Sequence, residues 1–429
     1  MNVARILGPM PGRREAHALA SLALIAGVIL CGVSVQLGFA GRTFLGRPLG
    51  GDFVEFYTVG KILNNYAPAR IYDLKLAVDL QHATLPGMPD TQMLVFGQAP
   101  FIAWLFRPFA LLPYAWAYVA WLVFSAALYI AALSILFRTA GLSPQDRKTG
   151  FLLALSMTPF LFETWIGGQV SVVAFMIWAL FFWCLKNNRP ALAGFVLAAC
   201  LFKPTLVALP AAMLLIGRRW RVVAGFAAGA VAMAGLSVAT VGWEGCRRWI
   251  QTIGFNGRVA GGAGEAAHQA KYVDLLAFSH LLLANWPRLA DGLALTLALA
   301  AVGWLGLQWA RSDVPDARLW AATFCIMLVA SPYMPIYDTI LVVFSVVLVA
   351  SRRELTIWLL ALYMIPWLTQ VFAEFLHVQL LTVVIGGFGI LAAKPALRRI
   401  RPGEEESTMP LSIGLRATGR FQVRSRGLL

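Results

Sequence analysis

Apolar residues in this chain fall in long unbroken runs rather than in the one-sided spacing of a surface helix. A helix that crosses the hydrocarbon of a bilayer needs about 20 mainly apolar residues. Runs read as spans recur near 18–40, 114–137, 150–166, 170–185, 190–203, 205–217, 222–241, 289–310, 319–332, 338–351, 355–376 and 378–393. The pattern predicts an all-α, polytopic membrane protein of about 12 transmembrane helices. Its parts are a cytoplasmic N-terminus over 1–17, a polytopic domain over 18–394 with outer loops 41–113 and 242–288, and a basic, disordered cytoplasmic tail over 395–429. Two of the shorter runs, 190–203 and 205–217, meet at Lys203-Pro204, as broken helices that line a cavity do. The run 98–112, APFIAWLFRPFALLP, is read as interfacial helix, because a full crossing there would invert every later loop. The first run follows Arg13 and Arg14 and is too long for a signal-peptide core of about 7–15 residues, so it reads as a retained span.

Composition removes the soluble alternative: of 429 residues 59% are hydrophobic and 13% charged, with mean hydropathy +0.73, against roughly a quarter charged in soluble domains. The net charge of +15 does not indicate nucleic acid, because Arg and Lys sit in short clusters between apolar runs, where they suit anionic headgroups. Those clusters are Arg13/Arg14, Arg138 with Arg147/Lys148, Lys186/Arg189, Arg218/Arg219/Arg221, Arg311/Arg318, Arg352/Arg353 and Arg398/Arg399/Arg401. All fall on one side of the predicted topology, which the positive-inside rule makes the cytoplasm. The long loops and the turns at Gln169, Lys203-Pro204 and Tyr333–Asp338 then face outward. Five cysteines, Cys31, Cys184, Cys200, Cys246 and Cys325, show no CxxC or metal spacing and read as packing residues.

Candidate chemistry concentrates in the outer segments. GGDFVEFYTVGKILNNYAPARIYD gathers Asp52, Glu55, Tyr57, Lys61, Tyr66, Tyr72 and Asp73 just after the first span. An acid partly desolvated where a helix leaves the membrane is suited to take a proton from an alcohol, and Asp52, behind two glycines, is the better placed; ordinary solvated loop charges are the alternative. Gly167-Gly168-Gln169 offers an amide that both donates and accepts, or a plain helix-breaking turn. Lys203 lies in an apolar run, so it either snorkels to the outer interface or meets a buried anion, for which a lipid phosphate would serve. In the Ser331–Asp338 turn, Asp338 reads most simply as a helix N-cap. The histidines have no paired-ligand spacing and no nucleotide fingerprint occurs, so neither metal catalysis nor a soluble nucleotide donor has support.

A set of short pieces in order along roughly 50–345 resembles glycosyltransferase family 87, polytopic bacterial enzymes of the wider GT-C group. They are Asp52 with Tyr57, Tyr66 to Tyr72-Asp73, Ala99-Pro100-Phe101 through Pro108 and Leu112-Pro113, Gly168-Gln169-Val170-Ser171, Ala193-Gly194, Phe202-Lys203-Pro204, the Gly217–Arg221 loop, and Ser331-Pro332 with Tyr337-Asp338. The chain departs from the family in lacking Pro-Pro near Pro100 and in carrying Tyr333 where a histidine is common.

The resemblance implies transfer of a hexose, most often mannose, or alternatively of the pentose arabinose, from a polyprenyl-phosphate sugar to a glycan or glycolipid acceptor. The transfer would occur with inversion at the outer face of the cytoplasmic membrane, with no cofactor. Asp52 would be the general base, and Glu55, Tyr57, Gln169, Lys203, Tyr333, Tyr337 and Asp338 would bind substrate, with Lys203 at the lipid phosphate. A transporter or flippase is the competing class, and a polymerase or ligase of lipid-linked glycans a third. A transporter should gather its polar residues near the midplane, an enzyme of this kind at one face.

Overall fold

The computed structural model describes residues 13–37, 49–86, 88, 94–261, 269–312, 316–350 and 355–394, and among them every named element is helical. The basic tail, Arg352 and Arg353 and most of the N-terminal segment lie outside the described residues. In order come α1 (Arg13–Leu37), α2 (Phe53–Asn65), α3 (Leu74–Thr84), α4 (Tyr114–Thr139), α5 (Pro144–Ser156), α6 (Ser171–Lys186), α7 (Pro190–Ala198), α8 (Ala208–Ile216) and α9 (Trp220–Gly261). Further helices cover Leu275–Leu282, Pro287–Arg311, Ala317–Ala330, Val342–Leu348, Thr356–Met364, Thr369–Leu376 and Leu380–Ala393.

Every predicted apolar run coincides with a helix or with two consecutive ones, but their lengths differ from the expectation. Tyr114–Thr139, Trp220–Gly254 and Pro287–Arg311 are long and apolar enough to cross a membrane. Two bent pairs raise the number to five: Pro144–Ser156 with Pro159–Ile166, bent by 57°, and Thr356–Trp367 with Thr369–Leu376, bent by 69°. Other apolar helices are shorter: α6 has 16 residues and Ala317–Ala330 has 14, about 24 and 21 Å at 1.5 Å per residue, less than a hydrocarbon core of about 30 Å. Segment 98–112 is not a span. It folds as two short 3₁₀ pieces, Pro100–Phe106 and Phe109–Leu111, the longer reaching only about 14 Å at about 2 Å per residue. Both pieces pack on α2, with the Phe56 and Phe106 rings stacked at 4.8 Å.

Punctuation residues set the element ends. Ser143 accepts from the Asp146 amide (3.2 Å) ahead of Pro144 to open α5, and Asp316 does the same for Leu319 (3.0 Å). Left-handed Asn188 (φ 55°) and Arg218 (φ 55°) turn the chain after α6 and α8. The interior is aromatic where α6, Ala317–Ala330 and Val342–Leu348 meet: Trp178 lies 4.8 Å from Phe324, and Phe324 4.9 Å from Phe344. Cys184, Cys200 and Cys325 are buried here and nearby as packing residues.

Hydrogen bonds sort the turns into two ends. At the C-terminus of α6, Lys186 donates to the Arg138 and Thr139 carbonyls (3.2 and 2.7 Å) at the end of α4, and Arg219 donates to the Ser312 carbonyl (3.1 Å). At the N-terminus of α6, Ser171 donates to Asp338 (2.7 Å). The length of α6, about 24 Å, therefore separates these basic turns from the turns that carry candidate chemistry. The segment from Lys203-Pro204 along α8 to Arg218 repeats the arrangement.

Close helix contact depends on small residues, as it does where lipid removes the hydrophobic drive between helices. Between α7 and α9 the backbones approach so closely that a Cβ on Gly194 would lie 1.9 Å from the Val222 carbonyl oxygen, and one on Gly225 1.9 Å from that of Ala191. Gly194→Ala should therefore cost about 1–3 kcal/mol. Gly303→Ala, where nothing lies within 4 Å, should be neutral or gain up to about 1 kcal/mol from helix propensity. Thermal unfolding of the two purified variants checks this, and equal effects would rule out the close-approach explanation.

Candidate functional site

Two glycine turns, at the head of α2 and before α6, lock together backbone to backbone. Gly51 (φ +55°) and Gly168 (φ +71°) occupy left-handed conformations, where added Cβ atoms would lie 2.7 Å from the Gly167 carbonyl oxygen and 2.5 Å from that of Gly50. The contact is fixed by the Asp52 amide, which donates to the Gly167 carbonyl (2.9 Å). Asp52 sits at the N-cap of α2, yet its carboxylate makes no capping bond to that helix. It accepts instead from the side-chain amide of Gln169, a residue 117 positions away.

Lys203 ends the 3₁₀ turn after α7, and its ammonium meets a buried anion within the chain: the Asp338 carboxylate. Of the alternatives open from sequence, snorkelling is therefore not what the structure shows. Asp338 is fully buried, accepts from Ser171 at its other oxygen (2.7 Å) and lies inside the 3₁₀ turn Ile336–Leu341, whose N-cap is Pro335, so the N-cap reading of Asp338 is corrected. The Tyr337 ring lies under the same ammonium, centroid 4.6 Å away, a cation–π contact. Thr164, on the π-helix Pro159–Ile166 that leads into Gly167, donates to the Tyr337 carbonyl (3.0 Å) and ties this half of the site to the glycine turn.

Glu55 lies one helical turn beyond Asp52, hence on the same face of α2. It is buried, and its Oε1 has no hydrogen-bond partner among the described residues. Burial, before all else, pushes its carboxyl well above the ordinary range; the Asp52 charge adds to the shift and Lys203 opposes it. Two carboxyls a turn apart thus occupy environments of different kinds. Tyr57 is not brought to this cluster: its hydroxyl donates to the Leu112 carbonyl (2.8 Å), where it pins α2 to the segment before α4.

The last turn is held from the second long loop. Tyr272 forms an antiparallel bridge with Pro335, and the Val273 amide donates to the Met334 carbonyl (2.8 Å). Buried Asp274 caps Leu275–Leu282 through the Ala277 amide (3.0 Å) and accepts from the Met334 amide (2.8 Å). Tyr333 is thereby held at φ 56°, a left-handed conformation rare for an aromatic residue. Burial pushes the Tyr272 hydroxyl up to about 12, with Asp274, Asp52, Tyr333 and Asp338 adding to the shift, which places that phenol in the field of the carboxylates. Sequence reasoning singled out neither Tyr272 nor Asp274. An acid inside the apolar stretch VDLLAFSHLLL was a usable signal for Asp274. Nothing in local spacing marked Tyr272.

Asp52, Glu55, Gln169, Lys203, Tyr337 and Asp338 therefore converge, with Tyr333 at the edge. Chemically the cluster offers a carboxylate on a glutamine amide, a buried acid, and a fixed cation over an aromatic ring.

Among known proteins, the family model described as glycosyltransferase family 87 matches residues 98–332, more than half of the chain. No curated protein and no solved structure matches it.

Two expectations follow from the buried charges. Lys203→Met leaves Asp338 a buried charge without its cation and should cost about 3–5 kcal/mol in stability, most of it recovered in a Lys203→Met/Asp338→Asn double variant; chemical unfolding of the two variants decides the point. Glu55 has a folded value above its unfolded one of about 4.3, so the folded chain holds an extra proton between the two. Stability is lost as pH rises through that window. Glu55→Gln should accordingly gain on the parent chain as pH rises from about 4 toward 8, measured as the difference in unfolding temperature, and a flat difference would contradict it.

Proposed function

The chain belongs to glycosyltransferase family 87, and from that membership we propose a membrane enzyme that moves a hexose, with mannose first among the candidates, from a polyprenyl-phosphate sugar to a glycan or glycolipid acceptor. We place the reaction at the outer face of the cytoplasmic membrane, in a GT-C-like bundle whose dozen apolar segments all lie in the bilayer, the short ones lining the cavity.

The observation that carries the reading is the meeting of Asp52, held by Gln169, with Lys203 on Tyr337 and Asp338. The acceptor hydroxyl attacks the anomeric carbon while Asp52 takes its proton, and the bond from that carbon to the phosphate oxygen breaks. The lipid phosphate leaves with the bonding electrons, and the new glycosidic bond forms on the opposite face of the sugar, with inversion. Lys203 is the cation available to the leaving phosphate. Burial pushes the Glu55 carboxyl well above the ordinary range, so in its protonated form it can donate to a sugar oxygen. A lipid-borne donor accounts for a site without a nucleotide fingerprint.

The competing transporter reading expects polar residues spread along a path through the midplane. In this bundle the candidate turns gather at one end of α6 and α8, with basic turns at the other.

Asp52→Asn should lower transfer by about two to four orders of magnitude, the worth of a positioned general base, while the unfolding temperature stays near that of the parent. The assay incubates purified protein with a panel of polyprenyl-phosphate sugars and follows which is consumed; full activity in the variant would sink the assignment.

A further inference from the structure

Beside the cluster lies a half-open recess lined by Gln269, Tyr272, Asp274, His280 and Tyr333. Several of its wall residues are tied into the fold by hydrogen bonds. The bridge to Pro335 fixes Tyr272, both Asp274 oxygens are occupied by backbone amides, and His280 pairs with Asp291 (2.8 Å). Tyr333 is held in a strained backbone conformation that sets its ring at the rim.

The lining selects a chemical class. Two phenol rings supply flat apolar faces, the Gln269 amide supplies groups that donate and accept, and the His280 imidazole, whose Nε2 is bonded to Asp291, has Nδ1 left to offer. Sugar hydroxyls both donate and accept, and the C–H faces of a pyranose suit aromatic rings. Among the described residues no lysine or arginine lines the recess, and the Asp274 carboxylate there is already bound, so the recess suits a neutral ring rather than a phosphate. Its position completes the argument. Tyr272 lies in the field of both Asp52 and Asp338, in the strand pairing that leads to Tyr337. A ring seated here can present a hydroxyl toward Asp52, whereas a lipid phosphate has its cation at Lys203.

We propose that the recess formed by Gln269, Tyr272, His280 and Tyr333 is the acceptor-sugar subsite, which seats a neutral hexose ring with a hydroxyl directed at Asp52. The inference rests on the proposed glycosyl transfer for its meaning, but its test does not require turnover.

The full chain, reconstituted in nanodiscs free of sugar detergent, is titrated with methyl and octyl α-mannopyranoside and, separately, with decaprenyl phosphate, each followed by saturation-transfer NMR or isothermal calorimetry. Two variants are compared: Gln269→Leu, and Tyr333→Gly, which removes the ring and suits the left-handed backbone. Each should weaken glycoside binding about three- to tenfold, the worth of one lost stacking or hydrogen-bonding partner, and leave decaprenyl phosphate within about twofold of the parent. Binding of both glycosides points to a free glycan as acceptor, and binding of the octyl glycoside alone to a glycolipid; either supports the subsite. The proposal is overturned if neither glycoside binds the parent chain, if the variants bind glycoside as the parent does, or if both ligands weaken together. Retained transfer in Asp52→Asn would refute the catalytic reading without touching this one, which is read from glycoside binding to the parent chain and the two recess variants.

Discussion

A lysine among apolar helices must find a counter-charge, and the pair Lys203–Asp338 is the constraint from which the rest of the site follows. The partners lie 135 residues apart, Asp338 is fully buried, and its second oxygen is taken by Ser171. Removal of two such charges from water is costly unless each hydrogen-bonding position is filled. That requirement brings the end of α7, the start of α6 and the 331–338 turn to one point. Once they are there, the Tyr337 ring lies under the ammonium and the π-helix before Gly167 is bound to the Tyr337 carbonyl. The glycine lock then seats Asp52 opposite.

Much of this was legible in the sequence for one reason: in an apolar chain a polar residue at a turn stands out. The helices could be read from runs alone, because within lipid nothing else satisfies the backbone. Asp52, Gln169 and Lys203 could be found as polar residues beside Gly-Gly or Pro. Their partners could not, since the bonds Gln169–Asp52 and Lys203–Asp338 cross more than a hundred residues and no local period encodes them. For the same reason Asp338 was read as a cap, the commonest local use of an aspartate, when its role is set by a distant lysine. Tyr57 shares a sequence neighbourhood with Asp52 and Glu55, but it lies two residues beyond Glu55, about 200° around the helix, so it faces the 98–112 segment instead. Helix length was the other limit: hydropathy locates an apolar run but not the length of the helix within it. Several runs fold to 14–16 residues flanked by 3₁₀ or π turns, the broken form expected beside a cavity rather than against lipid.

The division of labour between Asp52 and Glu55 shows how one helix turn can hold two carboxyls in different states. Asp52 is at the helix mouth, half-buried, with an amide donor from Gln169. Glu55 is a turn deeper, enclosed, with an oxygen that none of the described residues bonds. Its ionisation would place a second negative charge beside the first at a point with no donor, which is why burial and Asp52 act in the same direction on it. Environments that push two acids apart suit them to different roles, and in the proposed reaction the half-buried Asp52 is the one that takes a proton.

The charges of the cluster bear on the proposed lipid phosphate donor. Burial pushes Glu55 toward its neutral form, which leaves two aspartates, Asp52 and Asp338, set against the one cation of Lys203. A phosphodiester donor adds a negative charge. In the proposed transfer the acceptor proton would neutralise Asp52 while the departing phosphate gained a charge, so the total would be unchanged and negative charge would move from the Asp52 end to the Lys203 end. A cation fixed at the receiving end would stabilise the transition state more than the bound donor, which is the condition for catalysis rather than mere affinity. In that proposal Asp338 serves to hold the ammonium in place before the phosphate arrives, so no reorganisation would be needed at the moment of reaction. An ionised Glu55 would oppose the donor's approach, and its burial therefore serves the same end as the ion pair.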